Sequence, residues 1–466
     1  MKVEDLGCLS LCLFALLAST PAFAQNAPTY SNIRFEQDCS LLSARSKEAP
    51  PFTFFPLGKE GKAFLSLGGQ LRFRGEGWSN FGFGGPGERD DYFSLSRLRL
   101  HMDLCAGSRV RFFLEGKSSL ASDRNLPGGL RRLDVDTGDF QNALVDVKIL
   151  PDSNLLTLRL GRQEMQFGRQ RLVSPLDWSN TRLQDFDGVR GIVRRGAWRI
   201  DTFYTRFVLL KKHALNSSIA SDTDFYGAYA AGKLPGTGFD LDLYWLALDR
   251  DNATFAGFKA PERRHTLGVR LGGRVAGTGL DFDVEGSYQF GDHGSQDIEA
   301  FMFASQVGYR LVDLWAAPRI YNGFDFASGD GDPADGKLKT FNQLFPLGHA
   351  YFGYIDIVGR QNILDWSQGV SLSPVAKVRL SADVHNFWRA ERNDALYNAG
   401  GFIVRGGGPA TPRRIGWEID STVRYTWDRH TLIQAGYSHF FPGAFIRSSG
   451  ASDGIDYGYL TIQLTF

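Results

Sequence analysis

Hydrophobic and polar side chains alternate along this chain with a period of two residues. The pattern is clearest in residues 155–195, where leucines and valines share one parity and arginines take the other. The opposing sets are Leu156, Leu158 and Leu160 against Thr157 and Arg159, then Val189 and Val193 against Arg190 and Arg194. Such alternation predicts β-strands whose two faces meet different surroundings. Because an unpaired guanidinium is costly in an apolar core, the arginine face is expected to meet water.

The same alternation recurs along most of the chain. Leu, Phe, Val and Trp occupy one face, and Arg, Lys, Asp and Glu the other, in residues 64–76, 97–104, 109–117, 281–290, 377–385 and 417–427. Strands of about ten residues with an apolar outside and a polar inside are typical of transmembrane β-barrels. The sequence therefore predicts an all-β fold, a transmembrane antiparallel β-barrel.

The connections between these strands alternate between short and long. Short ones are predicted at residues 106–108, 151–154, 195–197, 235–238, 276–279, 373–374 and 428–430. Long ones are predicted at residues 78–91, 119–139, 164–185, 208–222, 250–263, 389–412 and 442–455, and from 327 onward. Short periplasmic turns and long outer loops alternate in this way in outer-membrane barrels, and the count gives about 18 strands. The assignment within residues 315–375 is left open.

Both ends of the chain agree with this prediction. Residues 1–24 read as a cleaved secretory signal, with Lys2 before an apolar run and an A-x-A site at the end. Residues 25–62 lack periodicity and are predicted as a periplasmic lead-in to a barrel at 63–466. The last residues alternate up to a terminal Phe466, which predicts a barrel-closing strand. Loss of the signal leaves Cys39 and Cys105, either as a disulfide or as two thiols.

Charge and composition narrow the class of protein. The 466 residues carry a formal net charge of +1, which argues against nucleic acid as a partner. Hydrophobic residues make up 43% of the chain, yet no later apolar run is long enough to span a bilayer as a helix. No Pro- or Ser-rich linker divides the mature chain, so a single domain is predicted.

Motifs of enzymes and of cofactor or metal sites are weak or absent. A glycine-rich match at residues 82–87 contains a proline and precedes no helix, so it predicts a loop. Asp330, Asp332 and Asp335 lack the later ligands of an EF-hand, which excludes that motif and leaves loose calcium binding open. Ser438 and His439 are neighbours and would face opposite sides of a strand. No catalytic residue, cofactor or resident metal is therefore predicted.

Four segments resemble the alginate-export family of outer-membrane barrels. They are FLSLGGQLRFRGE at 64–76, residues 160–191, residues 326–356, and AGYSHFFPGAFI at 435–446. The resemblance implies a monomeric barrel of about 18 strands, with an Arg-rich channel that passes an anionic polysaccharide outward. Because Asp330, Asp332 and Asp335 lie in one of these segments, it also implies that their loop folds over the pore mouth. Periplasmic export partners and outer-membrane lipid are the other partners it implies. The resemblance is weaker on the substrate, because one fold hosts many solutes.

Inward-facing arginines are the predicted lining of the channel. Rings of arginine select anions, and the guanidinium fork matches a carboxylate bidentately at any working pH. The candidates are Arg72, Arg74, Arg97, Arg99, Arg109, Arg111, Arg159, Arg190, Arg194, Arg379 and Arg424.

Carboxylates are concentrated on the middle strands, whereas most candidate arginines lie in the first half of the chain. These carboxylates belong to Asp240, Asp242, Asp281, Asp283 and Glu285. The asymmetry predicts a transverse field, with cations on one wall and carboxylates on the other. A plainer interpretation stays open, in which the charges pair across strands and only solvate the lumen.

Three functions are compatible with these patterns. The first is an export channel for alginate or a related polyuronate, and the second is an anion-selective uptake porin for oligouronates or small organic acids. The third is a surface scaffold or receptor. Export predicts a wide cationic path, whereas uptake predicts a narrower mouth with a site borne by a loop. A passive pore has no direction of its own, so the residues do not separate export from uptake.

Overall fold

The computed structural model describes residues 30–37, 55–57, 63–150 and 153–466. The predicted signal sequence and Cys39 lie outside these ranges, so the signal and the disulfide stay predictions. Cys105 is buried in a strand. Among the described residues, no helix is long and apolar enough to cross a membrane.

Long antiparallel strands, 18 of them in the described part of the chain, close into one barrel. Each strand pairs with its neighbour in sequence, so the predicted fold is confirmed. The strands are β1 (Ala63–Ser79), β2 (Asp91–Ala106), β3 (Val110–Ala121), β4 (Asp136–Lys148), β5 (Leu156–Glu164), β6 (Asp185–Arg195), β7 (Trp198–Leu209), β8 (Ser218–Lys233), β9 (Asp240–Phe255), β10 (Phe258–Arg274), β11 (Leu280–His293), β12 (Gln296–Arg310), β13 (Arg319–Ala327), β14 (Ile363–Val375), β15 (Val378–Arg389), β16 (Arg414–Thr426), β17 (Thr431–Pro442) and β18 (Ile455–Thr465).

The barrel closes where β1 meets β18. Their register runs from Gln70 opposite Thr465 to Ser79 opposite Asp456. The amide of Gly69 also donates to the carbonyl of Phe466 over 2.8 Å. Both ends of the described barrel therefore lie at the same rim, the periplasmic one, and the predicted closing strand is confirmed.

Exposure along the strands shows which face meets lipid. On β1 the ring of Phe73 is 52% exposed, whereas Arg72 and Arg74 on either side of it are each 3% exposed. This is the reverse of a soluble barrel, in which the apolar side chains would be the buried ones. The predicted alternation, apolar outward and polar inward, is confirmed.

Some connections differ from the prediction. The predicted long loop at 250–263 is wrong, because β9 continues to Phe255 and a tight turn at Ala256 and Gly257 leads into β10. These two strands continue beyond the apolar band of the barrel. The polar residues of that continuation give residues 250–263 a sequence typical of a loop. The predicted turn at 373–374 instead lies at 376–377, and an irregular register between Leu372 and Val375 accommodates the proline. Within 315–375, β13 and β14 are separated by a long loop.

Two of the long loops fold into the barrel. Residues 165–184, between β5 and β6, form inner loop A, and residues 328–362, between β13 and β14, form inner loop B. Met165 and Val173 of the first loop and Phe341 and Val358 of the second are at most 1% exposed. They pack in one apolar cluster with inward aromatic side chains of the wall such as Phe225. Burial of this apolar surface is what draws the loops inward.

The N-terminal segment, residues 30–37, also lies inside the barrel. Its short 3-10 turn, Arg34–Glu36, places Phe35 in a small apolar cluster with Phe113 and Leu144 of the wall. Arg34 donates to the carbonyl of Phe466 over 3.2 Å, so the segment sits near the periplasmic rim. Further along the lead-in, the short strand Phe55–Leu57 pairs with the start of β1.

Candidate functional site

Two arginines of the predicted path, Arg72 and Arg97, bind inner loop A. Arg72 donates to the carbonyl oxygens of Asp177 and Ser179, each over 2.9 Å. Arg97 reaches the same two carbonyls at 3.2 and 3.1 Å and forms an ion pair with the Asp177 carboxylate at 2.9 Å. Burial alone would raise the pKa of Asp177, but Arg182, Arg97 and Arg72 hold it well below its ordinary value. These guanidiniums therefore anchor a loop.

A column of stacked planar groups crosses the same region. The guanidinium of Arg74 lies 3.8 Å from the ring centre of Trp178 and donates to the Trp178 carbonyl over 2.9 Å. The indole in turn stacks on His349 of inner loop B at 3.7 Å, and His349 stacks on Tyr354 at 4.4 Å. Backbone bonds join the loops as well, because the Phe345 amide donates to the carbonyl of residue 172 over 2.9 Å. The two inner loops thus form one constriction.

Beside this column, Arg99 takes part in a buried ion network. It contacts Glu115 at 2.6 Å and Glu164 at 3.6 Å. Arg182 of inner loop A contacts the same Glu164 at 2.5 Å and also pairs with Asp177. All of these side chains except that of Asp177 are almost completely buried. The network therefore fixes the base of the loop to β2, β3 and β5.

Arginines closer to the periplasmic rim surround the carboxylate of Glu36, which belongs to the N-terminal segment. Arg199 contacts it at 2.6 Å and Arg159 at 2.9 Å. Arg194 lies 3.6 Å away and Arg190 3.9 Å away. Burial alone would raise the pKa of Glu36, but Arg159 and Arg199 hold it well below its ordinary value. Arg111 binds the backbone of the same segment, donating to the Phe35 carbonyl over 2.7 Å.

Arg379 and Arg424 differ from the other candidates. They face each other across β15 and β16 and are both exposed, on the parity that points into the lumen. Arg379 donates to the hydroxyl of Ser371 over 3.3 Å. No described carboxylate forms a salt bridge with either guanidinium. Both lie next to the turns at the periplasmic rim.

Arg109 does not lie on a strand, although the sequence predicts it there. β3 begins at Val110, and Arg109 is an exposed residue of the turn before it. The tight turn after β2 spans residues 107–109. The strand therefore begins one residue later than the alternation predicts.

The predicted carboxylate wall is paired locally. Arg270 bridges Asp242 at 3.0 Å and Asp283. Arg171 of inner loop A contacts Asp283 at 2.6 Å and Glu285 at 2.9 Å. Lys233 pairs with Asp240, and Arg319 with Asp281. This pairing disagrees with the predicted transverse field, because the negative charge of the wall is compensated where it lies.

Sequence reasoning missed several arginines that shape the lumen. Arg199 and Asp201 share one parity of β7 and alternate with Trp198 and Ile200, so the period of two identifies Arg199 as a residue that faces the lumen. Arg171 and Arg182 lie in a loop, where parity carries no signal. The one clue there was the apolar content of residues 165–184, which is unusual for an exposed loop.

Carboxylates in the acidic stretch of inner loop B accept hydrogen bonds from backbone amides of the same stretch. The carboxylate of Asp330 accepts from the amide of Asp332 over 3.1 Å, and that of Asp335 accepts from the amide of Lys337 over 2.9 Å. In the described part of the chain, no three His, Cys, Asp or Glu side chains are grouped as metal ligands. Residues 332–336 are exposed, whereas other parts of the same loop are buried in the barrel. A fold of this stretch over the pore mouth stays a prediction.

Together, the closed barrel, its apolar outer face and its polar lumen define a porin-like channel of the bacterial outer membrane, embedded in lipid. The model of the alginate export family matches residues 63–459. The chain belongs to the alginate export family, as the resemblance in its sequence indicated.

Solved structures of outer-membrane proteins share the fold at low sequence identity. A BenF-like porin from Pseudomonas fluorescens Pf-5 has a TM-score of 0.58 and 12% identity, with 86% of this chain and 98% of that chain covered. OccK11 (OpdR) from Pseudomonas aeruginosa has a TM-score of 0.54 and 14% identity, covering 86% and 96%. OpdK from Pseudomonas aeruginosa, solved with vanillate, has a TM-score of 0.55 and 12% identity, covering 86% and 98%. The comparison with curated protein sequences finds no match.

Proposed function

We propose that this channel passes an anionic polysaccharide, alginate or a related polyuronate, by diffusion through its arginine-lined lumen. The observation that carries the proposal is the pair Arg379 and Arg424, exposed to the lumen with no described carboxylate in a salt bridge. A uronate carboxylate can accept hydrogen bonds from such a pair bidentately. Weak sites in series let a polymer slide. Binding at each site must be strong enough for the polymer to enter and weak enough for it to move on.

The family match supports this class of substrate, since alginate is itself a polyuronate. On this proposal the other lumen arginines act less directly. Those around inner loop A shape the constriction, and those near the periplasmic rim provide a positive potential at the mouth. The channel would work as a monomer and would receive the polymer from periplasmic export partners.

A second candidate is an anion-selective uptake porin for oligouronates or small organic acids. The observation that favours it is the constriction made by the two inner loops, because a narrow mouth with loop-borne residues suits a small solute better than a polymer. Trp178 and His349, stacked at 3.7 Å, lie at this constriction. The solved structure of OpdK with vanillate, a small aromatic acid, shares the fold.

Removing the exposed pair tests the proposed role of the arginines in selectivity. In the double variant Arg379→Gln/Arg424→Gln, we expect the ratio of anion to cation permeability to fall about threefold, because two fixed charges leave the periplasmic mouth. The measurement is the reversal potential of the purified protein in a planar bilayer under a potassium chloride gradient.

The matched control removes two arginines that face outward. Arg206 and Arg263 are exposed on the other parity of β7 and β10, with Asp224 and Asp249 as their partners. The variant Arg206→Gln/Arg263→Gln should keep the wild-type reversal potential. A lumen variant that also keeps it would show that Arg379 and Arg424 do not set selectivity, and the arginine-lined path would lose its main support.

A further inference from the structure

The contacts of Glu36 describe a carboxylate seated in a cluster of four arginines. Arg159 and Arg199 bind it at 2.9 and 2.6 Å, and Arg199 also donates to its second oxygen over 3.1 Å. Arg190 and Arg194 complete the cluster at 3.9 and 3.6 Å. The four guanidiniums, here called the arginine cradle, come from neighbouring strands β5, β6 and β7. Glu36 comes from the lead-in and belongs to no barrel strand.

The wall by itself does not neutralise the arginine cradle. Asp146 binds Arg159 at 2.7 Å, and Asp201 binds Arg190 at 2.8 Å and Arg199 at 2.7 Å. Four guanidiniums thus share two carboxylates of the wall, and Glu36 supplies a third. Arg159 and Arg190 are buried, whereas the side chains of Arg199 and Arg194 are 28% and 40% exposed. The four guanidiniums therefore keep a net positive charge that solvent can reach, and this charge attracts an anion from outside the wall.

The other described contacts of the N-terminal segment are apolar packing and hydrogen bonds, including the bond from Arg111 to the Phe35 carbonyl. Phe35 packs on Phe113 with ring centres 5.6 Å apart, and Tyr30 bonds to His430 over 3.0 Å. Asn32 accepts a hydrogen bond over 3.0 Å from Arg182 at the base of inner loop A. The segment therefore touches both the periplasmic rim and the constriction, and Glu36 carries its main electrostatic anchor.

We propose that the arginine cradle is a carboxylate-binding site of the channel, which Glu36 fills as an internal ligand until a uronate carboxylate displaces it. This inference rests on the proposed function for the identity of the displacing ligand. Displacement would free the N-terminal segment from the lumen and remove the contact between Asn32 and Arg182. The incoming polymer would thereby open its own path past the rim.

Cleavage by trypsin after Arg34 reports whether the segment is docked. The bond between Arg34 and Phe35 is protected in the docked segment, because Phe35 is 1% exposed. In the variant Glu36→Gln, we expect cleavage at this bond to become about tenfold faster, because the charged contacts to the cradle are lost. Trigalacturonate should accelerate cleavage of the wild-type protein and leave the variant unchanged. The full-length mature protein in detergent is used, and mass spectrometry identifies the new terminus at Phe35.

The control variant Glu299→Gln removes a carboxylate that pairs with Lys337 far from the cradle, and it should be cleaved like the wild type. Unchanged cleavage of Glu36→Gln would overturn the inference, and so would a wild-type rate that trigalacturonate does not alter. The proposed function fails separately. Trigalacturonate that blocks the bilayer current without affecting cleavage overturns only the inference, whereas faster cleavage without passage of the trisaccharide supports the inference and overturns the proposed function.

Discussion

Replacing residues 166–183 of inner loop A with a short Gly–Ser linker is expected to raise the single-channel conductance several-fold. The loop occupies the lumen and stacks on inner loop B through Trp178 and His349. A barrel of 18 strands is wide enough for an aqueous channel when no loop fills it. The arginines that now bind the loop, Arg72 and Arg97, would then face water and add positive charge to the wider path. Recordings in planar bilayers at one salt concentration measure the change.

Shortening an exposed outer loop provides the comparison. Residues 210–217 connect β7 and β8, and Leu215 at their tip is 71% exposed. A barrel shortened there should conduct like the wild type. If the inner-loop variant inserts as a folded barrel and still conducts like the wild type, loop A does not form the constriction.

The variant Arg182→Met is expected to lose about 3–5 kcal/mol of stability, which is the usual cost of breaking a buried ion pair. Its guanidinium is fully buried and contacts Glu164 at 2.5 Å. Among the described residues, methionine leaves the buried carboxylate of Glu164 with the more distant Arg99, at 3.6 Å, as its one ion-pair partner. Urea titration of the folded fraction, read from the band shift of the folded barrel on a gel, measures the loss.

An exposed ion pair supplies the control for this stability measurement. Arg206 contacts Asp224 on the outward side of β7 and β8, where water and mobile side chains weaken the pair. Arg206→Met should unfold at the same urea concentration as the wild type. An equal effect of the two substitutions would contradict the account, because burial would then not distinguish them.

Strand positions and facing could be predicted from the sequence because alternation is a local property. Phe73 faces lipid and Arg72 faces the lumen. These two surroundings impose a period of two on every strand. Where strands continue past the apolar band, as at Arg250, that constraint ends, and the polar residues there predict a loop although the structure has a strand.

The partners of the lumen charges could not be predicted in the same way. Arg97 binds Asp177, which lies far away in sequence on a loop with no periodicity. Glu36 belongs to a lead-in whose sequence carries no strand signal, yet it fills the arginine cradle. Contacts of this kind depend on how loops fold into the lumen. Of the candidates that lie on described strands, Arg379 and Arg424 are the ones in the exposed state that the sequence predicts for all of them.

The proposed function requires the lumen to pass anionic saccharides in preference to neutral ones. Release of trigalacturonate and of the neutral trisaccharide maltotriose from proteoliposomes that contain the purified protein tests it most directly. Trigalacturonate should leave faster at equal concentration, and the Arg379→Gln/Arg424→Gln variant should narrow the difference between the two release rates. Release of maltotriose at the same rate or faster would overturn the proposed function and leave a general porin.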